Sequence, residues 1–169
     1  SLNRLEASKK PVVAAVHGAC LGAGTEIALA CHGRIISDDA STHFALPEVM
    51  LGLLPGGGGT QRLPRLIGIQ KALDMLLTGK KIYAHKAKSI GLADKITTKE
   101  SLLNGAIEFA KQMIKAPLQR EDKRSFIEKV LESNSLTRGI IYKKAKEMVF
   151  KQTMGNYPAP LRILECVET

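Results

Sequence analysis

A chain of 169 residues, 44% hydrophobic and 24% charged, is long enough for one domain with a real core and too apolar for a disordered tract. No apolar run approaches the ~20 residues of a bilayer span, and the start, SLNRLEASKK, lacks the apolar stretch of a signal peptide. The formal net charge of +9 is lopsided: residues 1–60 carry four basic and five acidic side chains, residues 61–169 the other twenty-one and eleven.

Residues 1–10 read as the end of a helix. From Pro11, PVVAAV is a short apolar run with β-branched residues, the pattern of a buried strand. HGACLGAG breaks it with three glycines, and residues 25–31 then read as a buried helix that begins near Gly24 and is ended by Gly33. Residues 34–37 and 42–45 read as two more strands around an Asp38-Asp39-Ala40-Ser41 turn. PEVMLGLLPGGGGT leaves room for one helical turn.

Residues 61–67 and 70–77 have helical patterns stopped by Gly68 and Gly79, and residues 84–89 another stopped near Gly91. Residues 93–96 suit a short strand. Thr97 and Glu100 have the spacing of a capping box, and the helix behind them places Leu103, Ala106, Ile107, Ala110, Met113 and Ile114 on one face until Pro117. APLQREDK is the best linker in the chain. Two amphipathic helices follow, with faces Phe126, Ile127, Val130, Leu131 and Ile141, Ala145, Met148, then a break at residues 155–158 and a last helix. Strands crowd the first third and helices fill the rest, an α/β or α+β layout with a helical C-terminal part. Three short strands make a thin sheet, and the N-terminal one needs a neighbour.

Two features carry chemistry. Glycine-rich turns at residues 22–24 and 56–59 bring backbone N–H groups close to a ligand, and each lies near one glutamate in apolar company, Glu26 or Glu48. The first turn has no P-loop lysine, and Ile27 occupies the last glycine position of G-x-G-x-x-G, so nucleotide readings are weak. Between a strand and a helix start, it offers free N–H groups to a developing oxyanion. Glu26 falls in the first helical turn, where negative charge is favoured. Glu48 falls among Leu46, Val49 and Met50, where desolvation makes it hold its proton more tightly. Two carboxyls in unlike settings can serve as base and acid. The plain alternatives are a carboxylate satisfying a helix N-terminus and a loop carboxylate at the surface.

Other candidates are weaker. Cys20 and His17 have no orienting carboxylate, and His32, His43 and His85 show no metal-ligand spacing. Arg62 and Arg65 read as surface or capping residues. Cys20, Cys31 and Cys166 are an odd set at unrelated spacings, which suits a reducing compartment. The downstream basic excess suits cofactor phosphates, acidic lipid headgroups or nucleic acid, or simply solvated helix faces. Seven aromatic residues without basic interleaving argue against base stacking.

KPVVAAVHGACLGAGTEIALACHGRI, FALPEVMLGLLPGGGGTQRLPRLIG and LTGKKIYAHKAKSIGLADKI together resemble the crotonase (enoyl-CoA hydratase/isomerase) superfamily. KQTMGNYPAPLRILECVET is similar to the segment joining hydratase and dehydrogenase domains in multifunctional fatty-acid oxidation α-subunits, nearest to the bacterial anaerobic type. The resemblance implies a ββα-superhelix fragment, with residues 1–116 the second half of a hydratase core and 117–169 a helical extension leading to a dehydrogenase domain. It implies hydration of trans-2-enoyl-CoA, with Glu26 activating water and Glu48 giving a proton to the α-carbon. The N–H of Ala23, where the family usually has glycine, would hold the thioester oxygen, and that of Gly56 the water. No metal is implied. CoA is part of the substrate, and NAD serves only the dehydrogenase domain.

The partners implied are an acyl-CoA thioester, a thiolase β-subunit and further copies in an oligomer, with peripheral membrane contact for the basic helices and no nucleic acid. The compartment implied is the bacterial cytoplasm, or the mitochondrial matrix of a eukaryote. The family's first ~100 residues, within usual domain sizes, would precede Lys10 and supply the other oxyanion donor, so little or no activity is expected of residues 1–169 alone. Δ3-Δ2-enoyl-CoA isomerisation is the alternative reaction. A non-catalytic CoA-ester- or RNA-binding module is the alternative of another class.

Overall fold

The computed structural model describes all of residues 1–169. The elements in chain order are α1 (Leu2–Glu6), β1 (Val13–Val16), β2 (Ala19–Leu21), α2 (Ala23–Ala30), β3 (Gly33–Ser37), β4 (His43–Ala45), a 3-10 turn (Pro47–Leu51), α3 (Gly59–Ile67), α4 (Ile69–Thr78), β5 (Ile82–Tyr83), α5 (Ala84–Ser89), β6 (Lys95–Thr97), α6 (Leu102–Lys115), α7 (Phe126–Glu132), α8 (Ser135–Thr153) and α9 (Pro158–Glu168). This is the expected α/β layout with a helical C-terminal part.

The strands form two three-stranded sheets, ordered β1-β3-β6 and β2-β4-β5. In the first, Val13 stands opposite Gly33 and Ile36 opposite Ile96, with all pairs parallel. In the second, β2 runs parallel to β4 and β4 antiparallel to β5. β3 is buried along its whole length, as a central parallel strand covered on both faces must be. β1 and β2 are each the outer strand of their sheet, so each has one unpaired edge.

The main core joins Ile36, Phe44, Leu46, Leu63, Leu76 and Leu92, and it includes Ile163 of α9. Full burial of such side chains stabilises by ~1.5–3 kcal/mol each. A second cluster packs Leu73 of α4 with Ile141, Tyr142 and Val149 of α8 and Leu164 of α9. A third packs Ile35 of β3 under Leu102, Ala106 and Phe109 of α6.

Several expectations are corrected. The thin sheet of three strands is two sheets, because β2 forms inside the glycine turn and β5 between two helices. Thr97 and Glu100 do not cap α6: Thr97 is the last residue of β6, Ser101 is the N-cap, and it accepts no side-chain hydrogen bond there. The same spacing at Ser125 and Glu128 does form a capping box, on α7. The buried face of α6 is Leu102, Ala106 and Phe109, while Leu103, Ile107 and Ile114 are exposed. Phe126 and Ile127 of α7 and Met148 of α8 also face outward. The supposed linker is fastened down, since Arg120 pairs with Asp94 and donates to the His32 carbonyl.

Candidate active site

The first glycine turn is set by Gly22, whose φ of 52° and ψ of −122° suit a residue without a side chain. The first bond inside α2 runs from the Glu26 N–H to the Gly22 carbonyl, 3.0 Å, so the N–H groups of Ala23, Gly24 and Thr25 precede the helical ladder. Ala23 is exposed and has negative φ, so its methyl costs the turn nothing in backbone strain. The Thr25 hydroxyl bridges the Cys20 and Ala45 carbonyls at 2.6 and 2.9 Å, which fastens the turn to β4.

Glu26 is 4% exposed, and its Oε1 accepts the Gly59 N–H at 2.8 Å. The first carboxylate is therefore tied to the start of α3, in the second glycine cluster. A Cβ at Gly57 would stand 2.6 Å from Glu26 Oε2, and one at Gly59 3.0 Å from Oε1. Glu48 shows the converse arrangement. A Cβ at Gly22 would stand 3.1 Å from Glu48 Oε1. Each carboxylate thus lies against the other's glycine turn, and the two glycine clusters and two glutamates expected from the sequence converge on one place.

The two carboxylates differ in environment. Glu48 is only half-buried as a residue, yet its Oε2 is fully enclosed and makes no hydrogen bond. Burial pushes its pKa up, a backbone hydrogen bond within the residue opposes this, and the charge of Glu26 adds to the rise. An enclosed carboxylate oxygen with no partner is uncommon in a folded protein and suits a group that holds a proton for use. The Gly56 N–H donates to no backbone carbonyl, and Gly56 is exposed, with nothing within 4 Å of where a side chain would stand.

Arg62 is buried, not a surface or capping residue. Its Nε and Nη2 donate to Glu6 at 3.0 and 2.9 Å, its Nη2 also to Asn3 at 2.6 Å, and its Nη1 to the Gly57 carbonyl at 2.8 Å. It pins the second glycine loop to α1. Its partners Asn3 and Glu6 lie 59 and 56 residues away, and no local pattern announces them.

The competing candidates have other tasks. His17 Nδ1 bonds Ser37 Oγ at 2.9 Å, and burial pushes the Cys20 thiol up, the wrong direction for a nucleophile. His32 Nδ1 accepts the Val12 N–H, His43 meets the Ser41 carbonyl, and exposed His85 pairs with Asp38. No three ligand-type side chains converge on a metal-sized site. Two clefts, of about 510 and 500 Å³, lie away from the carboxylates. Arg34, Arg62 and Arg120 in them are occupied by Asp94, Glu6 and backbone carbonyls.

Comparison with known proteins agrees with the geometry. Residues 1–157 match the enoyl-CoA hydratase/isomerase family. The chain is 54% identical to the fatty acid oxidation complex subunit alpha of Shewanella putrefaciens over 98% of its own length, and 54% identical to that of Shewanella baltica. It spans 23% of the length of the S. putrefaciens protein. Among solved structures, an enoyl-CoA hydratase from Bacillus anthracis is 42% identical with a TM-score of 0.63, matching 67% of this chain and 43% of that one. An enoyl-CoA hydratase subunit from Geobacillus kaustophilus is 39% identical with a TM-score of 0.63, over 69% and 44%. The sheets, the crossed glutamates and these likenesses agree on one conclusion: the chain belongs to the enoyl-CoA hydratase/isomerase family.

Proposed function

We propose that Glu26 and Glu48 are the base and acid of a hydration step that turns a trans-2-enoyl-CoA into a 3-hydroxyacyl-CoA. The supporting observation is the enclosed, unpartnered Glu48 Oε2 beside a second carboxylate held by the Gly59 N–H. Glu26 takes a proton from water, whose oxygen adds to C3 of the enoyl group. Glu48 gives its proton to C2. The thioester oxygen carries the transient charge, held by the Ala23 N–H, and the Gly56 N–H orients the water. A backbone donor aimed at such an oxyanion contributes ~3–4 kcal/mol to the transition state. Glu26 then releases the proton it took, and Glu48 takes one up from solvent, which restores both carboxyls. Adding water neither oxidises nor reduces the substrate, so the step needs no redox cofactor, and Glu26 replaces a metal in activating water.

The relatives' name, fatty acid oxidation complex subunit alpha, supports a role for this step in fatty-acid oxidation within a multi-subunit complex. We extend that reading to an acyl-CoA substrate, a thiolase β-subunit as partner, and the bacterial cytoplasm. A requirement for NAD would arise only in a dehydrogenase domain elsewhere in the polypeptide.

Crotonyl-CoA hydration, followed by loss of the conjugated thioester absorbance, tests the assignment in the polypeptide as the cell makes it. Glu26→Gln and Glu48→Gln should each lower kcat at least ~100-fold, the usual contribution of a placed acid or base. Undiminished turnover in either variant sinks the two-carboxylate mechanism. If Glu26→Gln abolishes hydration while Δ3-Δ2 isomerisation survives, Glu48 alone shuttles protons in that second reaction.

A further inference from the structure

We infer that Tyr157, at the entrance to α9, is the positioning residue for Glu48. This rests on the role proposed for Glu48 above. The 3-10 turn that carries Glu48 is poorly anchored by itself. Met50, Leu51 and Leu53 are 69%, 75% and 59% exposed, and Val49 is the turn's only buried residue. At its C-terminal end the Gly52 N–H reaches the Val49 carbonyl, 3.1 Å, and the Leu53 N–H the Glu48 carbonyl, 3.0 Å. The Tyr157 hydroxyl donates to that same Val49 carbonyl, taking its second lone pair. Its ring closes over Gly52, where a Cβ would stand 3.6–4.0 Å from the hydroxyl and ring atoms.

Tyr157 can grip because α9 is itself packed into the core. Ile163 and Leu164 are fully buried, in the main and second clusters. At its far end, the Cys166 carbonyl accepts the Gln61 side-chain amide, on the helix whose first N–H holds Glu26. One helix therefore holds the turn that carries Glu48 and also the helix whose first N–H binds Glu26. Glu26 is the charged group that faces Glu48, so any slackening of the turn changes both the burial of Glu48 and its distance from that charge.

Tyr157→Phe keeps the ring and removes only the grip, and it is best made in the whole polypeptide. Amide hydrogen exchange at Gly52 and Leu53 should quicken about tenfold while α3 and α4 keep wild-type rates, as expected for one lost hydrogen bond. With crotonyl-CoA, kcat should fall about tenfold at unchanged KM, and the alkaline limb of the kcat profile should move to lower pH as Glu48 becomes wetter. Unchanged exchange at Gly52 and Leu53 overturns the grip. Quicker exchange with wild-type kcat and pH profile overturns the positioning role. A wild-type protein that does not hydrate crotonyl-CoA counts against the proposed function, while the exchange measurement still judges the grip.

Discussion

Glu48 makes the stability of the fold depend on pH. Its folded-state pKa lies above the ordinary value of 4.5, chiefly because the side chain is desolvated. The folded protein therefore binds this proton more tightly than the unfolded chain does. The stability this adds is complete below about pH 4.5 and is lost as pH rises through the higher folded value. Glu48→Gln has no charge to bury. It should melt at the wild-type temperature near pH 4 and above it near pH 7.5, measured by thermal unfolding at both pH values. A variant no more stable than wild type at the higher pH would mean that the carboxyl ionises without penalty. The residue pattern did reveal both glutamates, since a carboxylate beside a glycine turn in apolar sequence is conspicuous. It did not reveal that each faces the other's turn, which depends on the path of the chain between them.

Among the elements, β3 shows how much a strand can conceal. GRIIS reads as an ordinary apolar run with one charge at its edge, yet Arg34 is 1% exposed. Its guanidinium donates to the carbonyls of Ala28, Cys31 and Leu92, joining the end of α2 to the loop before β6. Burial pushes its pKa down to about 10, and Asp94, 3.5 Å from Nη2, opposes that shift. Asp94 also accepts the Arg34 backbone N–H and holds Arg120. Asp94→Ala would leave a buried cation without its counter-charge and should cost about 3 kcal/mol in urea unfolding. A loss below 1 kcal/mol would show that the carbonyls alone satisfy Arg34. Such couplings link positions 26 to 60 residues apart, outside any local pattern. The two S/T-x-x-E spacings make the same point. Thr97 and Ser125 look alike in sequence, but Thr97 is taken up by pairing with Ser37. β2 and β5, three and two residues long, are too short to show a period and exist because β4 is there to pair with them.

At the scale of the whole molecule, the unpaired edges of β1 and β2 border an open, mainly apolar groove that includes Ala15, Leu21 and Ile27. Leu21 and Ile27 are 43% and 49% exposed, and VAAV in β1 carries no charge or proline to discourage another strand. Residues 1–169 prepared alone should therefore self-associate as concentration rises. Ala15→Lys, at an exposed edge position, should raise the onset about tenfold in sedimentation velocity. An unaltered onset would place the contact elsewhere. The need of the first strand for a neighbour was legible in the sequence, but the second open edge was not, because β2 lay hidden among glycines. Tyr157 was equally hidden, standing 108 residues beyond the carbonyl it grips. That separation also sets an order of events at the ribosome. At ordinary elongation rates the grip on Val49 waits about 5–20 s after Val49 itself is made. Through that interval the nascent chain can assemble its sheets while the turn that carries Glu48 still lacks its contact with Tyr157, so this contact is among the last that synthesis adds to the segment.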